Sequence, residues 1–289
     1  EVVERYGDEI GAHPVGTGAF RLKSWRRASR IVLERSPGFR GVQYVGTPAD
    51  EPLAQEIAAA LKGKTLPLVD EVVIDVVEED QPRWLTFVNG TYAWLEVPGS
   101  MASVAAPNGE LAPFLAKKGV RLQKMLRPDM GMTFFYMEHP LVGGYTPDKV
   151  ALRRAIGLAT DIDKLIRIGY RGQAIPAQAP ANPHTTGYDP AFKSEMSDYS
   201  TARAKALLDL YGYVDRDGDG WRERPDGSRL ELEMATEPEQ IYRAYNEQWQ
   251  KAMKSIGIRI RFKTQQWPEN LKGADAGTLM MWMLGSGSV

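Results

Sequence analysis

The sequence reads as an α/β protein. Strand-like runs rich in β-branched and aromatic residues recur at 31–33, 69–77, 131–138, 230–234 and 258–262. Amphipathic helical segments with start and stop signals fall among them, the strongest at 147–159, 200–210 and 238–256. A hydrophobic content of 43% over 289 residues is enough for one large core or two ordinary ones.

Composition removes several function classes. A net charge of −1 and no basic block argue against a general nucleic-acid binder. With no cysteine there is no disulfide framework, thiol nucleophile or thiolate metal site. No apolar run reaches the roughly 18 residues that a spanning helix needs. No signal peptide precedes Glu1, so any targeting segment lies outside this sequence.

From the amino end, residues 2–11 suit a short helix ending at Gly11. His13 to Arg35 then reads as a glycine turn and a hairpin. Gly16 and Gly18 bracket Thr17, and a residue with φ > 0 is expected in that turn. Phe20, Leu22 and Trp25 form one apolar set, and Ile31, Val32 and Leu33 resume after a polar turn at 26–29. A phosphate loop is a poor reading of Gly-Thr-Gly, because no Lys-Ser/Thr follows and a strand comes next.

The run Pro14-Val15-Gly16-Thr17-Gly18-Ala19-Phe20-Arg21-Leu22, then Trp25, then Ile31 to Pro37, resembles the signature of family 5 extracellular solute-binding proteins. These are the peptide- and nickel-type binding proteins of ABC importers. The resemblance implies a periplasmic-binding-protein-like, two-lobed architecture (type II, cluster C), incomplete here at both ends. It assigns 1–131 to part of the first lobe and 132–289 to part of the last. Residues 42–66, with a helical patch at Glu51 to Lys62, look like an insertion against the family pattern.

Val69 to Val77 is a strong strand candidate, followed by a helix from about Asp80 to Phe87 and a turn at Asn89-Gly90. Tyr92 to Val97 and Val120 to Leu126 are expected as strands, with a short helix at Leu111 to Lys118 between them. By resemblance Trp94 lines the ligand cleft; the alternative is a tryptophan packed between sheet and helix. Gly131 to Glu138 is an aromatic strand whose end the resemblance places near bound ligand, with Tyr136 and Glu138 on one face. His139 beside it is a lone histidine without an evident partner.

Pro147 opens a helix with an apolar face of Val150, Leu152, Ile156, Leu158 and Ala159, and Asp161 is the expected N-cap of the next. ALRRAIGLATDIDKLI and WQKAMKSIGIRIRF resemble the family's phrases at these places. Residues 172–190 form a Pro-rich loop carrying His184, a surface residue on this reading. On the helix at 200–210 the expected apolar stripe is Ala202, Ala206, Leu207 and Leu210. Asp215, Asp217 and Asp219 alternate as in the first half of a calcium loop, but position 12 is Asp226 rather than Glu. With Glu223 they make a candidate structural calcium site; the alternative is a turn, and no cofactor is required. Tyr242, Tyr245, Trp249, Ala252 and Met253 share a core face, with Gly257 as the helix stop.

In the family the final strand carries much of the ligand contact, which marks Trp282, Gly285 and Ser286. Peptide-binding members place an aspartate there for the ligand amine, and this sequence has none before its end. The expected function is the substrate-binding component of an ABC importer, capturing a peptide-like or other small solute in an interlobe cleft that closes by hinge motion. Trp94, Tyr136 and Trp282 are the expected aromatic walls, with Glu138, Gly285 and Ser286 as further contacts. The expected partners are that ligand and a membrane permease, with no nucleic acid; the expected state is a monomeric, non-enzymatic protein, periplasmic or extracellular, with room for a lipid anchor before Glu1. The alternative is a carbohydrate-active hydrolase with paired carboxylates. Its densest acidic cluster, Asp75, Glu78, Glu79 and Asp80, reads as a solvated strand end.

Overall fold

A computed structural model describes residues 2–48, 50, 52–183, 185–195 and 198–287. Two units emerge, 1–101 and 102–289. The first begins with α1 (Val2–Tyr6) and a 3-10 turn at Gly7–Ala12. The hairpin follows as β1 (Phe20–Arg26) and β2 (Arg30–Arg35), and β5 (Glu71–Asp75) adds antiparallel to β2. Neither Gly16 nor Gly18 takes a positive φ; the left-handed residue is Ala28 (φ 52) in the β1–β2 turn. The segment before β1 needs no reversal of its own, because Ser36 N–H bonds to Ala19 C=O and ties it along the hairpin.

β3 (Val42–Gln43) and β4 (Thr65–Leu66) pair antiparallel at the base of the suspected insertion, enclosing α2 (Pro52–Leu61). Glu51, its expected first residue, lies outside the described residues. α3 (Asp80–Val88) supplies Trp84, the one buried large apolar side chain among the described residues of this unit. Tyr92 to Val97 is not a strand. β-propensity without a neighbouring ladder makes no sheet, and Trp94 stands 77% exposed instead of packed.

The second unit opens with α4 (Ala102–Ala105) and α5 (Pro113–Ala116). Val120 to Leu126 is not a strand, a second correction of the same kind. β6 (Asp129–Phe135) then leads to α6 (Pro147–Ala159), α7 (Ile162–Ile168) and α8 (Thr201–Leu210). The boundary expected at 131/132 falls inside β6. Asp161 caps α7 as expected, accepting from Lys164 N–H at 2.9 Å. His184 lies outside the described residues.

β7 (Glu231–Thr236), α9 (Gln240–Ser255), β8 (Arg259–Thr264), α10 (Trp267–Asp275) and β9 (Met281–Gly287) complete the unit. The sheet order is β6-β9-β7-β8. β7 runs parallel to β8 and β9, while β6 runs antiparallel to β9. Leu152, Ile156, Leu208, Leu232, Tyr245, Trp249, Met253, Ile258 and Met281 fill the core between the sheet and α6, α8 and α9. On another packing surface Trp282, Ala235 and Leu279 meet Phe134 and Leu271.

The apolar stripe of α8 is rotated from expectation. Ala204 and Leu208 are fully buried, whereas Leu210 is 76% exposed and Ala202 and Ala206 face solvent. Docking decides the phase: Ser200 N–H bonds to Leu158 C=O at the end of α6, turning the 204/208 face inward. Leu208→Ala should therefore destabilise by about 2–4 kcal/mol and Leu210→Ala by under about 0.5 kcal/mol, read by urea denaturation; equal effects would contradict this packing.

Candidate functional site

In an open sheet with parallel strands, ligands sit at the strands' carboxyl ends. Here that end is built by the last residues of β7 and by the part of β9 that runs past it. β9 pairs with β7 at Met281 and Trp282. From Met283 onward its paired neighbour is β6.

The ladder phase fixes which backbone groups remain. Tyr136 lies opposite Met280 and its N–H bonds to Met280 C=O, so this is a hydrogen-bonded pair. Such pairs alternate with non-bonded ones along an antiparallel ladder. Trp282, Leu284 and Ser286 therefore bond toward β6, while Gly285, opposite Gly131, directs its N–H and C=O to the other edge. Among the described residues no strand pairs with that edge beyond Trp282.

Two glycines face each other here, Gly285 open and Gly131 covered by a tyrosine. A Cβ built on Gly285 would meet nothing within 4 Å, and one on Gly131 would stand 2.9 Å from the Tyr170 hydroxyl. A strand glycine of this kind permits close approach of another backbone or a ligand. Gly131 and Tyr170 were not singled out from sequence; a glycine inside an aromatic strand was the available signal. Tyr170 is held by its ring contact with Tyr245, centroids 5.3 Å apart.

The other expected contacts separate. Tyr136 donates to Glu138 Oε2 at 2.9 Å, so these two do share a side, and that bond raises the phenol's pKa. They lie beside Met280, however, roughly 20 Å along the ladder from Ser286. It is the start of β6, not its end, that lies beside Gly285 and Ser286. Trp282 is no exposed wall: it is 1% exposed, and its indole N–H donates to Glu237 Oε1 at 2.9 Å. Trp94 belongs to the first unit. Ser286 pairs with Met130 through the backbone.

The acidic loop closes on itself. Asp215 accepts Gly218 N–H and Gly220 N–H, both at 2.8 Å, Asp217 accepts Asp219 N–H at 3.1 Å, and Glu223 accepts Arg216 N–H at 2.8 Å. Carboxylate oxygens of Asp215, Asp217 and Glu223 lie within 4.8 Å of one another, a donor set suited to a hard cation. Asp219, expected as a fourth ligand, is instead committed to Trp221 N–H and an ion pair with Arg259. In the hydrolase reading's cluster, Asp75 pairs with Arg30, and Asp80 accepts from Arg83 and Ser100. These carboxylates are engaged in local structure.

The loop after β6 is clamped by α6. Lys149 Nζ donates to the carbonyls of Pro140 and, at 2.8 Å, Leu141, while Arg153 donates to that of Val142 at 2.6 Å. His139 takes part through Nδ1, which accepts Leu141 N–H at 3.1 Å. Burial, then the Lys149 charge, lowers the imidazole pKa.

Two outcomes follow for stability. Asp215→Ala removes two acceptors and should cost about 1–2 kcal/mol in chelator-treated protein, measured by thermal unfolding. Because folding lowers the His139 pKa, its contribution is present above the unfolded-state value and is lost as pH falls below it. His139→Gln should thus flatten the fall in Tm from about pH 7 to about pH 5; an unchanged slope would assign the pH dependence elsewhere.

Residues 2–289 match the model for bacterial extracellular solute-binding proteins, family 5 Middle. The glutathione-binding protein GsiB of Pectobacterium atrosepticum is 27% identical over 210 residues, covering 72% of this chain and 33% of that protein. The dipeptide-binding protein of Escherichia coli K12 is 22% identical over 288 residues, covering 96% and 43%. The chain thus spans between a third and a half of these relatives' length. The oligopeptide-binding protein AppA of Bacillus subtilis, solved with a nonapeptide, superposes with a TM-score of 0.70 at 17% identity, covering 97% of this chain and 48% of that one. NikA of Brucella suis, solved with Fe(III)-EDTA, gives 0.67 at 18%, covering 95% and 49%. The fold is that of periplasmic binding proteins, and the chain belongs to the family 5 bacterial extracellular solute-binding proteins.

Proposed function

We propose that the protein carrying this chain is the substrate-binding component of an ABC importer, acting outside the cytoplasm and delivering a small solute to a membrane permease. The family match supports the role. Similarity to glutathione-, dipeptide- and oligopeptide-binding proteins supports a peptide-like ligand. The observation that carries the ligand class is the edge at Gly285, whose N–H and C=O face away from β6. An extended ligand backbone can add there as a further strand, gaining main-chain hydrogen bonds.

In this reading Gly285 contributes its backbone, and Gly131 with the Tyr170 hydroxyl shapes the adjoining surface. Recognition of this kind is tolerant of side chains, because the hydrogen bonds are made by groups every peptide has. It also needs no aspartate for the ligand amine. Trp94 remains a proposed wall residue, since its exposed ring is free to stack.

Calorimetric titration of the full-length protein with di- and tripeptides, glutathione included, tests this. Gly285→Pro removes the outward N–H without touching the ladder bonds to β6, and should weaken binding at least about tenfold, while Gly285→Ala retains it. Bound peptide should slow hydrogen exchange in residues 283–287. Unchanged affinity in a folded Gly285→Pro protein, with no protection there, would refute strand addition at this edge.

A further inference from the structure

Gly131 and Gly285 form a non-bonded pair of the β6–β9 ladder, so their Cβ directions share one face of the sheet, about 5 Å apart. Setting aside each glycine's own chain neighbours, the Gly285 Cβ position has no heavy atom within 4 Å. The Gly131 position has one, the Tyr170 hydroxyl at 2.9 Å. Every ring carbon of Tyr170 lies beyond 4 Å, so its C–O bond is aimed at the strand. This part of the sheet is therefore bare over both glycines except for a single polar atom that reaches it tip first.

The tyrosine is held in that attitude. Its ring packs on Tyr245 with centroids 5.3 Å apart. The preceding residue, Gly169, admits this contact, because a Cβ there would stand 2.1 Å from the Tyr245 ring.

The hydrogen-bond count then fixes the direction of the Tyr170 proton. Tyr245 is 4% exposed, and its pKa is raised by burial, then by the Tyr170 phenol and the hydrogen bond between the two hydroxyls. Two hydroxyls sharing one bond leave one proton uncommitted. Were Tyr170 the donor, that proton would be the one on Tyr245, buried without an acceptor, which is the costlier arrangement. Tyr245 therefore donates to Tyr170, and the Tyr170 O–H remains to donate over the glycines.

A ligand strand added at the Gly285 edge sets its residues in the same rows as β9 and β6. The side chain of the ligand residue beside Gly285 can then lie over a position that has no side chain of its own, with the Tyr170 donor on the far side. We propose that the Tyr170 hydroxyl is a specificity-determining donor, which takes an acceptor oxygen of the ligand, a side-chain carboxylate or amide or the terminal carboxylate, across the bare surface of Gly285. The proposal rests on the peptide reading and adds a preference to main-chain binding that is otherwise tolerant of side chains. A carboxylate oxygen gives the stronger bond, because the acceptor is charged.

Calorimetric titration of the full-length protein with Ala-Glu-Ala, Ala-Gln-Ala and Ala-Leu-Ala, each as the free acid and as the terminal amide, tests this. Tyr170→Phe keeps the ring and removes the donor. It should weaken the oxygen-bearing peptides at least about fivefold and leave the Ala-Leu-Ala amide unchanged. Loss in the Glu and Gln amides identifies a side-chain oxygen, and loss confined to the free acids identifies the terminal carboxylate. Wild-type affinity for all six peptides in Tyr170→Phe, or equal weakening of all six, overturns the proposal. Peptides that bind and respond to Gly285→Pro but not to Tyr170→Phe refute this donor and leave strand addition standing, whereas no binding by any peptide refutes both. Should Tyr170→Phe not fold, Gly131→Ala decides in its place, since its methyl displaces the hydroxyl: the same selective loss supports the proposal, and its absence refutes it.

Discussion

The ladder between β6 and β9 is the constraint on which the second unit depends. Seven residue pairs join strands about 150 positions apart, from Asp129–Gly287 to Phe135–Met281. Closing so long a loop costs conformational entropy before any contact returns it. The return comes from burial on both surfaces of β9: Met281 enters the core with α6, α8 and α9, and Trp282 enters the cluster with Phe134 and Leu271. The same ladder sets the phase that turns the Gly285 backbone outward, so packing and the candidate binding edge share one register.

Local sequence carried much of the fold because local rules decide it. The proline start of α6, the Asp161 cap of α7, the glycine after α9 and the apolar faces of all three act within a few residues, and these helices formed as expected. The hairpin of β1 and β2 is likewise a short-range object. What local pattern could not supply is partnership. Tyr92 to Val97 and Val120 to Leu126 have strand composition but no neighbouring edge, and α8 has two candidate faces between which only α6 chooses.

The same limit governs the binding surface. Trp282 and Tyr136 are both aromatic residues on strands the family resemblance singled out, yet one is buried against Glu237 and the other sits at the far end of the ladder. Gly285 was legible as a small residue in a contact strand, though its importance lies in backbone direction. Glu237 was invisible, because a glutamate after a strand ordinarily faces water. It is buried by Trp282, which arrives 45 residues later in the chain.

The outward edge of β9 has a meaning beyond recognition. Unpaired strand edges are templates for other chains as readily as for a ligand. The exposed length here is short, and a glycine interrupts it, which limits its hold on a second polypeptide. On the proposed reading a solute and a second polypeptide compete for this edge, and a bound solute would exclude the other chain.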